Sequence, residues 1–129
     1  MVNAKKVYAV DTGLIRVNSR SFTRDDGRIL ENMVFLQLRR LHQEIFYFKQ
    51  KKECDFIVCE KGKPTAIIQV CMDLSSDNLE REMAGIREAM GFLKMSKSTI
   101  VTHNQEDIFT FGDQTVKVLP FSKWAQGVM

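Results

Sequence analysis

Long apolar runs are absent from this sequence of 129 residues. None approaches the ~20 residues that a membrane-spanning helix needs, and the N-terminus lacks the apolar core of a signal peptide. A cytoplasmic location and no membrane partner are therefore expected. Cysteine is scarce, with three residues at Cys54, Cys59 and Cys71. All three fall in strand-like stretches, which suits small core residues in a reducing compartment. Alternation puts Cys54 and Cys59 on opposite faces of one strand, and no Cys/His quartet exists, so a structural zinc site is excluded. Neither sign of charge dominates: the net charge of +3 permits nucleic-acid binding without arguing for it. No Gly-rich phosphate loop ending in Gly-Lys-Ser/Thr occurs. Repeats and low-complexity tracts are missing too.

What remains is an ordinary globular balance, 44% hydrophobic and 27% charged. The length suits one domain, and a domain of this size buries roughly two-thirds of its unfolded surface. The expected layout is a single domain over 1–129, with a lead-in over 1–22 and a core over about 23–126.

The chain is organised around two short apolar runs rich in β-branched residues, 53–59 and 66–72. Both read as strands. The polar stretch 60–64 between them carries Gly62 and Pro64 and reads as a loop, so the pair predicts a β-hairpin. Alternation places Asp55, Ile57 and Cys59 on one face, and Gln69, Cys71 and Asp73 on one face of the next strand. A hairpin centred on Gly62 sets Asp55 opposite Gln69. A mid-strand carboxylate beside an amide is costly to bury without a partner, which makes this the place to look for chemistry.

The remaining elements follow in order. Lys5 to Val10 reads as a strand ended by Asp11-Thr12-Gly13. Thr23 is an N-cap with Asp26 three residues on, and a helix is expected from Arg24 to Leu41. Its apolar stripe is Ile29, Leu30, Met33, Val34, Leu38 and Leu41. Glu31 lies beside that stripe near the helix start, where the dipole favours a carboxylate. Residues 44–49 form a further strand. Ser75 to Asn78 is a cap cluster, with Asp77 and Glu80 at capping-box spacing. The next helix carries Leu79, Met83, Ile86, Met90 and Leu93 at helical spacing, a core stripe rather than a cofactor box. Strands follow at 98–102, 107–111 and 115–119, the last two around a Gly112-Asp113 turn. A short helix from Phe121 to Ala125 packs Trp124. His42 and His103 are isolated and read as surface or loop residues. Helices interleaved with strands predict an α/β fold with a mixed central sheet flanked by helices.

Asp11-Thr12-Gly13 is also the triplet that activates water in aspartic proteases. Those enzymes need two such triplets, because the proton shared between two carboxylates does the work. Here there is one, and a dimer would have to supply the other. The helical character after residue 23 does not fit a small all-β protease. An Asx turn at a strand end is the simpler reading.

A run of short motifs resembles a known domain. They are Gly27-Arg28, Glu31-Asn32, Val34-Phe35-Leu36 with Leu38, Glu53 with Asp55-Phe56, Gln69-Val70 with Asp73, Arg81-Glu82, Ile100-Val101-Thr102, and Leu119-Pro120 with Trp124. Together they resemble the C-terminal domain of bacterial and archaeal P-loop ATPases related to the AAA+ class, and Lys6 to Leu14 resembles the segment that leads into it. The resemblance implies a restriction-endonuclease-like fold of the PD-(D/E)XK superfamily. It also implies that an ATPase module and a winged-helix-like segment precede the domain, so the missing N-terminal ATPase module is the expected partner.

That superfamily's nucleases hold Mg²⁺ or Mn²⁺ through carboxylates and use a lysine to position or deprotonate water. Carried over, Asp55 matches the strand aspartate and Glu31 the helix glutamate. Gln69-Val70-Cys71 stands where Glu-x-Lys is expected. Gln69 offers a neutral oxygen but lowers the site's charge by one, and Cys71 cannot replace an ammonium. Lys49, Lys51 or Lys52 is a candidate relocated lysine, and Asp73 a displaced carboxylate. Two readings follow. One is a catalytically silent nuclease-like module that binds or regulates within an AAA+-type ATPase. The alternative is a divergent Mg²⁺- or Mn²⁺-dependent DNA endonuclease, with DNA as partner.

Overall fold

The structure is a computed structural model that describes residues 2–3, 24–49 and 53–127, with side chains described over 27–47 and 56–127. Its elements are β1 (Val2–Asn3), α1 (Arg24–Leu41), β2 (Glu44–Lys49), β3 (Glu53–Glu60), β4 (Lys63–Val70), α2 (Leu79–Leu93), β5 (Lys97–Thr102), β6 (Asp107–Phe111), β7 (Gln114–Pro120) and α3 (Phe121–Gly127). The strands form one sheet in the order β1-β2-β3-β4-β5-β7-β6. β1 is a two-residue edge, and β1 to β4 pair antiparallel in sequence order. β4, β5 and β7 run parallel, and β6 returns antiparallel to β7. The fold is α/β with a mixed sheet flanked by helices. The expected strand over Lys5 to Val10, the Thr23 cap and Asp11-Thr12-Gly13 lie outside the described residues.

Parallel pairing needs a crossover, and α2 supplies it between β4 and β5. The central strands are covered on both faces, which explains their continuous apolar runs. On one face Ile57, Cys59, Ile67, Ile100, Val116 and Val118 pack against Met83, Ile86, Ala89 and Met90 of α2. On the other, Phe56, Val58, Ile68 and Val101 pack against Val34 and Leu38 of α1 and Trp124 of α3. Each side chain buried this fully contributes ~1.5–3 kcal/mol.

Several sequence expectations are corrected in detail. The hairpin turn is only Lys61-Gly62, both with positive φ (52° and 79°), the type I′ pattern whose twist matches its strands. β4 therefore starts at Lys63 and ends at Val70, not over 66–72. Pro64 is tolerated because the ladder slips there, Val58 pairing with Ala66 but Cys59 with Pro64. Cys71 and Asp73 lie beyond β4; Cys71 still packs on the α2 face, where Gln69 also lies, whereas Asp73 is exposed. The α2 N-cap is Asn78 rather than Asp77, and no side-chain cap bond forms. Asn78 instead accepts from Ser75 N–H (2.9 Å) and donates to the Asp73 carbonyl (2.9 Å), bracing the connection before the helix. α2 ends on left-handed Lys94 (φ 57°), where Met95 N–H reaches back to the Met90 carbonyl at 2.9 Å. Leu41, counted in the α1 stripe, is 43% exposed because the stripe has rotated off the sheet by the last turn.

Candidate functional site

Gln69 anchors the site. It follows Ile67, which packs towards α2, and Ile68, which packs towards α1, so alternation turns it to the α2 face. It is 2% exposed. Its Nε2 donates to the Glu82 carbonyl at 3.1 Å and also to the Glu82 carboxylate. The acceptors fix the amide's orientation, since only the nitrogen can donate to them. Gln69 Oε1 is thereby left buried with no hydrogen-bond partner among the described residues. Such an orphan costs stability and calls for an explanation.

Glu82 was not a predicted site residue. It sits in the first turn of α2, half-buried, with its outer oxygen 3.5 Å from the exposed Arg81 guanidinium. The signal was available: position 82 lies three residues after Leu79 and four before Ile86, on the flank of the buried stripe.

Asp55 lies in β3 next to the last β3–β4 pair, Phe56 with Ile68, so Asp55 and Gln69 come next in line on adjacent strands. Its backbone is irregular. On the β2 side, Phe46 pairs with Ile57 and Phe48 with Cys54. Two residues of β3, Asp55 and Phe56, thus stand opposite Tyr47 alone, which is a β-bulge. Simple alternation, the basis for grouping Asp55 with Ile57, is interrupted there. The side chain of Asp55 lies outside the described residues, as do those of Cys54 and Lys49, and Lys51 and Lys52 lie outside entirely.

Glu31 is half-buried on α1, the helix that covers the opposite face of the sheet from α2. Asp73 is exposed in the β4–α2 connection. Cys71 is half-buried, its Sγ 3.6 Å from the Asp73 carbonyl and 3.8 Å from Asn78 Nδ2. Among the described residues, no three His, Cys, Asp or Glu side chains group into a metal site. A hard cation wants several convergent oxygens. At Gln69 an amide N–H, not an oxygen, meets the neighbouring carboxylate, so the described donors do not fit a divalent cation. His42 lies 3.9 Å from Glu60, and His103 is exposed. The Cys59 thiol is pushed above its ordinary range by burial first and by the Glu44 carboxylate second. It is an inert core group.

Thr102, at the end of β5, contrasts with Gln69. It is 0% exposed, its hydroxyl accepts from Gln105 N–H (2.9 Å), and it sits 3.0 Å from the Gln105 carbonyl and 3.3 Å from that of Leu119. Gln105 in turn pairs through both amide ends with the Leu74 backbone, at 2.7 and 2.8 Å.

No solved structure matches this chain. Among the described residues, no helix is long and apolar enough to cross a membrane. The chain is similar to the uncharacterized protein MJ1544 of Methanocaldococcus jannaschii, with 36% identity over 135 aligned positions. That alignment covers 96% of this chain but only 30% of the relative's length. The profile "Domain of unknown function (DUF4143)" matches residues 26–124. With most of its length inside that profile, the chain belongs to the DUF4143 family.

Proposed function

We propose that this domain is a restriction-endonuclease-like module of the PD-(D/E)XK type whose cleavage site is silent, and that it serves as a binding or regulatory part of a larger AAA+-type ATPase. The observation that carries the reading is the Gln69–Glu82 contact. A nuclease of this type needs an acid at position 69 to hold its cation. Here a neutral amide donates to a carboxylate of α2. An acid at 69 would meet Glu82 head-on, and one of the two would have to hold a proton. Glu82 is thus matched to an amide, which supports a site without its acid. Cys71, in the place of the lysine, is turned to backbone and to Asn78. The relative's much greater length supports a domain within a larger protein.

The second reading, a divergent Mg²⁺- or Mn²⁺-dependent DNA endonuclease using Glu31, Asp55, Gln69 and a relocated lysine, has Glu31 across the sheet on α1 but is favoured by one observation. Gln69 Oε1 is a buried oxygen without a partner among the described residues. Plasmid cleavage in Mg²⁺ and in Mn²⁺ separates the two. The silent reading expects no cutting above that of Asp55→Ala. Metal-dependent nicking that Asp55→Ala abolishes would establish the nuclease instead.

A further inference from the structure

Among the described residues, α1 and α3 cover only half of their face of the sheet. Their contacts reach Ile68, Val101 and Leu119. Two residues back along β5 and β7 the same face carries Thr99 and Lys117, directly paired, and two further back Lys97 and Thr115, also paired. Ile108 of β6 pairs with Lys117 and extends that row to the sheet edge. Together with Ala66 of β4 these residues line an open groove of about 380 Å³. Its lining sets the apolar Ala66, Ile67, Met95 and Ile108 among threonines and lysines. Ile108 is 60% exposed, more than any other large apolar side chain described. Lys97 and Lys117 are exposed and have no carboxylate partner among the described residues.

From this juxtaposition we infer that the groove is a docking surface for an acidic, amphipathic segment of another polypeptide. An aliphatic side chain of the partner covers Ile108 and Ala66, and flanking carboxylates meet Lys97 and Lys117. The chemistry selects this occupant. Diagonally placed lysines ask for anions, and rim charges of this kind set partner choice more than affinity. An exposed isoleucine on an apolar floor asks for an apolar anchor. Among the described residues of the groove, a nucleic acid would find only two cations and no aromatic ring on which to stack a base. A second copy would bring lysines against lysines. The groove opens on the sheet face opposite Gln69, so the inference goes beyond the proposed silent site and does not rest on it.

The test uses the whole chain and three labelled probes: a peptide alternating glutamate with leucine, the same peptide with lysine for glutamate, and an oligo-dT strand. Fluorescence anisotropy is expected to show binding of the acidic peptide alone. Amide NMR shifts are expected to centre on Thr99, Ile108 and Lys117. Lys97→Glu with Lys117→Glu weakens that binding at least about tenfold, and Ile108→Ser weakens it at unchanged charge. These positions are exposed, so the fold is retained, and circular dichroism checks it. The milder Lys97→Gln with Lys117→Gln pair gives an intermediate loss. Absence of binding at roughly millimolar peptide, binding indifferent to the charge reversal, or oligo-dT binding lost in the same variant would each overturn the inference.

Discussion

β4 and β5 run side by side and parallel, and each ends in a buried polar side chain. Thr102 closes its end completely: hydroxyl, Gln105 backbone and Gln105 side chain satisfy one another and the Leu74 backbone. Gln69 closes its end by half, with its nitrogen bonded twice and its oxygen without a partner among the described residues. A satisfied buried network reads as structure, because every desolvated group recovers its hydrogen bond. A half-satisfied one in the same sheet reads as the residue of another purpose. Both lie within the motifs that carry the resemblance, but only Gln69 stands where that resemblance implies a catalytic group.

The largest test cuts into the packing between α2 and the sheet. Ile86 is fully buried between α2 and the sheet, and Ile86→Ala should cost ~2–5 kcal/mol in urea unfolding. A negligible loss would mean that α2 does not clamp the two strand ends together. Next comes Thr102→Val, which keeps shape and removes the hydroxyl. It leaves Gln105 N–H without its acceptor and should cost about 1–3 kcal/mol. Gln69→Leu should fall within ~1 kcal/mol of wild type, in either direction. It removes an orphan oxygen, and Glu82 is open enough to hydrate. If Gln69→Leu proves the costlier of the two polar replacements, the contrast between the strand ends fails. The smallest effect concerns pH. The folded Cys59 thiol holds its proton to higher pH than the unfolded chain does. Its contribution is therefore present below the ordinary thiol range and fades as pH rises through the folded value. Wild type should lose slightly more stability than Cys59→Ala between about pH 8 and 10, compared by unfolding midpoints.

The framework was legible because its signals are periodic. The 3.6-residue stripe of α2 and the β-branched runs of the strands are long enough to speak for themselves, and α1 begins and ends where its pattern does. The edges were less legible. Gly62 and Pro64 suggested a five-residue loop, but Lys61 accepts a left-handed conformation, so the turn shrinks to two residues and β4 moves forward. The cap moved from Asp77 to Asn78 because Asn78 bonds to the preceding turn. At the site, the β3–β4 adjacency was readable from the hairpin. The Glu82 tie was not, because it joins residues 13 apart through a crossover. The bulge at Asp55 was hidden too, since a register slip leaves no mark in composition.

That bulge bears on how such a domain could shed one task and keep its architecture. The strand's dyad phase is reset between Phe56, which the hydrophobic interior holds, and the residues that precede it. Mutational drift, even a lost or gained residue, can re-aim the tip of β3 while Phe56, Ile57 and Val58 stay seated. Asp55 sits at that joint, so its aim can change while the packed interior behind it stays as it is.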